Sequence, residues 1–202
     1  MGEEKRIVDT YEIKHAIHVG DKEVLFGVDD TKTDYPYMVC NYTWDNPLGT
    51  DQYFDALAST DYLEMMTEFT SRITVQLEAV KAERDKINVP FQPFTPEHCI
   101  SNDYNESIEN KVVVIRPECL RPEYRTADKQ LVLITGGFGA YANSRGRAVY
   151  TINLYSGKES RWNREDVLGT PKPEYMPDWA KEQLKQIQAE RQAKHKKQEQ
   201  ER

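Results

Sequence analysis

Nothing in this chain approaches the run of ~20 apolar residues needed to cross a bilayer; the longest aliphatic stretches, Val112 to Ile115 and Leu131 to Ile134, are four residues each. No membrane span is expected. The opening residues, Met1-Gly2-Glu3-Glu4-Lys5-Arg6-Ile7, lack the apolar core and small-residue cleavage site of a secretory signal. Arg6 also stands where a myristoylation site needs Ser or Thr. These absences lead us to expect a cytoplasmic protein. Cysteine is scarce: Cys40, Cys99 and Cys119 are odd in number, widely spaced and part of no Cys-x-x-Cys pair. They read as reduced structural thiols, which excludes a disulfide framework. His98 beside Cys99 offers two metal ligands, but adjacent residues rarely converge on one ion and no second pair stands at knuckle spacing.

Catalytic vocabulary is equally thin. The chain has no nucleophile elbow, no His-Glu-x-x-His, no Asp-x-Asp pair and no phosphate loop ending in Gly-Lys-Ser or Gly-Lys-Thr. His15 and His18 fall on opposite faces of a strand pattern. Asp29-Asp30 reads as a turn, and Glu165-Asp166 beside Arg164 as an ion-paired turn or helix cap. No catalytic residue, metal site or cofactor is assigned.

What is present suffices for a core: 38% of the 202 residues are hydrophobic. Charge is polarised. Residues 1–115 carry 22 acidic against 10 basic side chains, and residues 116–202 carry 12 against 17. Such an asymmetry bears on partners and steering, not on fold.

Tyr11, Ile13, His15, Ile17 and Val19 alternate with Glu12, Lys14, Ala16 and His18, Gly20-Asp21 makes a turn, and Val24, Phe26 and Val28 resume the alternation. This predicts an antiparallel hairpin, followed by a third strand from Tyr37 to Trp44. Asn46-Pro47-Leu48-Gly49 breaks that strand, and a short helix is expected over Asp51 to Ala58. Asp61 with Glu64 suggests a capping box for a longer helix reaching about Lys86, its face built from Leu63, Met66, Phe69, Ile73, Leu77 and Val80. Pro90, Pro93 and Pro96 mark an extended linker. Beyond it, Lys111 to Ile115, Leu131 to Thr135, Ala148 to Tyr155 and Lys158 to Asn163 read as four strands of a compact sheet or small open barrel. Pro177 opens a last helix that docks through Trp179, Leu184 and Ile187 and runs into a polar tail. The expected fold class is α+β: an acidic sheet-plus-helix unit over residues 1–89, a proline-rich linker and loop over 90–110, a small β unit over 111–170, and a C-terminal helix and tail over 171–202.

The segment from Gly136 to Arg147, Gly-Gly-Phe-Gly-Ala-Tyr-Ala-Asn-Ser-Arg-Gly-Arg, most needs explaining. Gly137-x-Gly139-x-x-Ala142 follows a strand and loosely matches the dinucleotide fingerprint, but no helix start follows, so the strand-loop-helix unit is missing. Two readings stand. The glycines serve a tight hairpin connection with a bulge. Alternatively, hairpin pairing of 148–155 with 158–163 gathers Arg145, Arg147, Lys158, Arg161 and Arg164 into one exposed basic surface, with Phe138, Tyr141, Tyr150 and Trp162 interleaved. Such a face could hold phosphates and stack bases, or meet an acidic protein.

Several stretches carry a resemblance across nearly the whole chain, from about Tyr11 to Ile187: Asp45-Asn46-Pro47-Leu48, Asp61-Tyr62-Leu63-Glu64, Gly136-Gly137-Phe138-Gly139, Ser144-Arg145-Gly146-Arg147-Ala148-Val149-Tyr150, Arg161-Trp162-Asn163-Arg164-Glu165-Asp166-Val167-Leu168-Gly169 and Met176-Pro177-Asp178-Trp179-Ala180. On these the chain resembles a family of unknown function encoded on conjugative and other mobile elements of gut Gram-positive bacteria. The resemblance implies a bacterial accessory protein concerned with DNA transfer, its regulation or counter-defence, and brings no catalytic residue with it. The expected function is non-catalytic binding, with an unidentified protein partner. The alternatives are a nucleic-acid-binding module and a small enzyme acting on nucleotides or nucleic acid.

Overall fold

The computed structural model describes residues 5–43 and 50–200. Its fold is α+β, divided into two compact units, Met1–Asn88 and Val89–Arg202. No sheet among the described residues crosses that division. Among the described residues no helix is long and apolar enough to cross a membrane.

The first unit is a five-stranded antiparallel meander of β1 (Ile7–Val8), β2 (Tyr11–Val19), β3 (Lys22–Val28), β4 (Tyr37–Thr43) and β5 (Gln52–Ser59), paired in chain order. The turn expected at Asn46 to Gly49 lies outside the described residues. The segment expected as a short helix is β5 instead: Tyr53 lies opposite Tyr42, Phe54 opposite Asn41 and Leu57 opposite Val39. Ala56, Leu57 and Ala58 favour a helix locally, and pairing along β4 overrides that weak preference.

Helix α1 (Tyr62–Asp85) follows. Asp61 caps it, its carboxylate accepting from the Leu63 and Glu64 amides at 2.8 and 3.2 Å. Glu64 does not close a capping box; its carboxylate accepts from the Ser59 hydroxyl, which in turn accepts from the Asp61 amide. The buried residues of α1 are Met65 and Phe69, packed on Val24, Phe26 and Val39, whereas Leu63 is 72% exposed. Two apolar stripes overlap on this helix, and the sheet takes the one that puts Tyr62 and Phe69 edge-on to Phe26. Tyr11, Leu25, Met38 and Cys40 form a second buried cluster in this unit.

The second unit contains β6 (Cys99–Ser101), β7 (Val112–Ile115), the single-turn α2 (Ala127–Gln130), β8 (Leu131–Gly136), β9 (Ala148–Asn153), β10 (Glu159–Asn163), β11 (Val167–Pro171) and α3 (Asp178–Gln200). Its sheet is antiparallel in the order β10-β9-β8-β7-β11-β6. Six strands form it where four are expected. β6 and β11 are short, and β11 carries Gly169 and Pro171, so neither reads in the sequence as an alternation of apolar and polar residues. Both faces of the sheet are covered. Val112, Val114, Leu131 and Leu133 meet Ala180, Trp179, Leu184 and Ile187 of α3. On the other face, Val113, Ile115, Val132, Ile134 and Val149 pack with Ile108, Ala140 and Val167.

The proline-rich stretch is tied into this unit. The Phe94 amide donates to Gln130 Oε1 at 2.8 Å, while Gln130 Nε2 donates to the carbonyls of Phe94 and Ile115 at 3.2 and 3.1 Å. Gln130 and Phe94 are both buried. Residues 90–110 thus contribute the core side chains Phe94, Cys99 and Ile108 and the edge strand β6 to the second unit.

Candidate functional site

Between β8 and β9 the chain makes one 3₁₀ turn, Phe138–Ala140, and then folds back on itself. Close approach requires glycine at Gly137, where a Cβ would meet the Ala148 carbonyl, and at two further points. A Cβ on Gly139 would run into the Arg147 carbonyl, and one on Gly146 into the Phe138 side chain. The amides of Ala140 and Tyr141 are spent inside the turn, on the carbonyls of Gly137 and Phe138. These glycines let the loop close on itself.

Arg164 holds that loop. It is 2% exposed, and its guanidinium reaches five protein acceptors. Nε donates to Asn102 Oδ1 at 2.9 Å, Nη1 to the carbonyls of Gly139 and Ala140 at 3.2 and 3.5 Å, and Nη2 to those of Asp103 and Glu106 at 2.7 and 3.0 Å. Its backbone joins the same network: the Arg164 amide donates to the Arg147 carbonyl at 2.7 Å, and Asn102 Nδ2 donates to the Arg164 carbonyl at 3.1 Å. Among the described residues no carboxylate pairs with this side chain. Burial lowers its pKa from the ordinary guanidinium value, yet a guanidinium keeps its proton, so the buried charge is balanced by carbonyl dipoles. The Tyr104 ring lies 5.2 Å from the guanidinium carbon, and the Tyr104 carbonyl accepts from the Asn143 amide at 2.8 Å. Arg164, from the turn after β10, thus ties loops 102–110 and 137–147 together, beside direct bonds between them: the Ile108 amide and the Ser107 hydroxyl donate to the Ala140 carbonyl at 2.8 and 3.1 Å.

The locked loops display their side chains outward. Phe138 is 77% exposed, Tyr104 50% and Tyr141 48%. Arg145 and Arg147 are exposed and, with Tyr104, Ser144 and Glu165, border a shallow recess of about 380 Å³. Arg147 Nη1 pairs with Glu165 at 3.4 Å; no ion pair of Arg145 is found among the described residues. The Tyr141 hydroxyl donates to Glu109 at 3.4 Å.

The basic surface expected from the sequence does not form as one patch. Phe138, Tyr141, Arg145 and Arg147 come together on one platform. Arg164 is withdrawn from it into the interior. Lys158 lies opposite Asn153, at the far end of the hairpin from Arg147; five strand steps put that end ~17 Å away. Arg161 sits midway along β10, opposite Tyr150. Trp162 turns to the other face, packs on the core cluster around Val149 and donates from Nε1 to Ser160 Oγ at 3.1 Å. Pairing of β9 with β10 joins only one end of each strand to the Gly/Arg loop, so it cannot gather residues from both ends.

Tyr104 belongs to the platform and carried no signal in the sequence, because its loop is brought there by Arg164 across about sixty residues of chain. The residues considered for metal stay apart from that role. His98 Nδ1 accepts from the Thr95 amide at 3.2 Å. Cys99 is buried, which pushes its thiol up to about 11, and burial raises that of Cys40 as well. Among the described residues no group of three His, Cys, Asp or Glu side chains is placed to hold a metal ion. No family model, no curated protein and no solved structure matches the chain.

Proposed function

We propose that this chain is a non-catalytic binding protein of a bacterial mobile genetic element, serving DNA transfer, its regulation or counter-defence, and that it recognises a protein partner through the loop platform of its second unit. The mobile-element context rests on the sequence resemblance alone. The binding role rests on one observation: a fully satisfied buried arginine holds two loops in a fixed shape while they present Phe138, an aromatic side chain 77% exposed, beside Arg145 and two tyrosines. Aromatic and arginine side chains on a rigid base are the composition of interface hot spots, because little conformational entropy is lost when they are covered.

Local charge favours a polypeptide over nucleic acid. Glu106, Glu109 and Glu165 are interspersed with the arginines, and Arg147 is already paired. Exposed arginines with interleaved rings are also what a single strand would meet, so one experiment separates the two readings. The tagged full chain, purified from its host alongside F138A and R145A variants, should retain a protein that both variants lose. Titration with unrelated DNA and RNA oligomers at low salt should show no affinity that R145A weakens. Salt-sensitive oligomer binding that falls in R145A would replace the protein partner with nucleic acid.

A further inference from the structure

We propose that β10 is a self-complementary sheet edge through which two copies of this chain pair antiparallel, with Glu159 of each copy opposite Arg161 of the other. β10 ends the six-stranded sheet and, among the described residues, has no neighbour beyond it. Strand alternation decides which of its backbone groups face outward. The Asn153 amide donates to the Lys158 carbonyl, so Lys158, Ser160 and Trp162 turn their amides and carbonyls towards β9. Glu159, Arg161 and Asn163 turn theirs away. The Asn163 amide is already taken by Asp166 Oδ2 at 2.7 Å. The outward donors and acceptors that remain belong to Glu159 and Arg161.

These restrictions leave one register for a second copy. Only outward-facing residues can oppose one another, so Glu159 must face Glu159, Arg161 or Asn163 of the partner strand. Glu159 against Glu159 apposes two carboxylates, and Glu159 against Asn163 places Arg161 on Arg161 while calling on an amide already in use. Glu159 against Arg161 pairs opposite charges twice about a twofold axis at Ser160, and exchanges four backbone hydrogen bonds. In the same register Lys158 stands opposite Trp162 of the second copy, a cation facing an indole. Glu159, Ser160 and Arg161 are exposed. On the face bearing Glu159, a groove of about 690 Å³, lined by Tyr150, Ile152, Glu159, Ile187, Glu190 and Arg191, leaves room for incoming side chains.

The other sheet edges are protected in ways that β10 is not. β1 has two residues and β6 three. β5 is bent at Asp55, where φ is +53°, and Arg72 Nη1 donates to the Asp55 carbonyl at 2.6 Å.

Sedimentation of the full chain over a wide concentration series tests the pairing by charge exchange. The unmodified chain should dimerise. E159R and R161E should each weaken the dimer at least about tenfold, since the twofold axis applies every change twice. An equimolar mixture of E159R with R161E should recover the dimer, because all four apposed charges are then opposite. The double variant E159R/R161E should dimerise by itself for the same reason. Far-UV circular dichroism verifies that each variant is folded. A chain that stays monomeric at every concentration overturns the proposal, as does a dimer that both single variants retain, or single variants that fail to complement each other.

Discussion

The two units of this protein solve the same packing problem with different kinds of contact. In the first, each strand pairs with its neighbour in sequence, and polar side chains mostly act locally: Asp61 caps its own helix, and Asp29 binds Thr31 in its own turn. In the second, β11 is inserted between β7 and β6, and buried polar side chains reach across long stretches of chain. Arg164 ties together segments about sixty residues apart, and Gln130 anchors Phe94 across 36 residues. Exposed local bonds such as the Asp61 cap tolerate loss because water can replace them. A buried clamp cannot be removed without leaving several carbonyls unpaired away from water.

The comparison breaks most visibly at Arg164. R164A should cost about 3–5 kcal/mol, because it strands the carbonyls of Asp103, Glu106 and Gly139 and leaves a cavity. Hydrogen exchange followed by mass spectrometry should show lost protection across 102–110 and 137–147 while β2 to β4 stay protected. R164K should not rescue it, since an ammonium cannot span the same fork of acceptors. Uniform loss of protection in both units would show that the clamp is not local to the second.

In the first unit the largest single effect is expected at Met65, which is fully buried. M65A should cost about 2–5 kcal/mol, whereas L63A, at a residue 72% exposed, should stay within about 0.5 kcal/mol in denaturant titration. Equal losses would put the packed face of α1 back on the stripe that contains Leu63. A smaller decrease, about 1 kcal/mol, is expected for D61A through loss of the helix cap.

The subtlest difference is a pH dependence. Hydrogen bonds from the Thr31 and Thr10 side chains, the Thr31 amide and the charge of Lys32 hold the Asp29 carboxyl down from 3.8 to about 2. Its folded pKa is depressed, so its contribution is complete above about 4 and is lost as pH falls from there towards 2. Thermal melts across that window should show the first unit losing stability, and D29N should flatten this portion of the profile. An unchanged profile in D29N would assign the acid sensitivity to other carboxylates.

Alternation from Tyr11 to Val28, the Asp61 cap, the continuous apolar strands at Val112 and Leu131 and the proline at the start of α3 were all legible as sequence, because each is a local pattern of period two or 3.6 or a terminus signal. They determine an α+β protein and most of its elements. Tertiary structure decided the rest. Segment 52–59 became a strand because β4 offered it hydrogen bonds, against its own helical preference. β6, three residues long, and β11, which carries Gly169 and Pro171, are too short and irregular to announce themselves; β11 is a strand because β7 and β6 flank it, and β6 because β11 offers it an edge. The fate of Arg164 is the clearest case. A sequence presents it as one more cation beside Arg161 and Trp162, and no local pattern distinguishes a side chain that meets water from one that meets five protein acceptors. That distinction depends on where distant carbonyls arrive when the chain folds, and with it goes the difference between a basic patch and a rigid platform that displays an exposed phenylalanine.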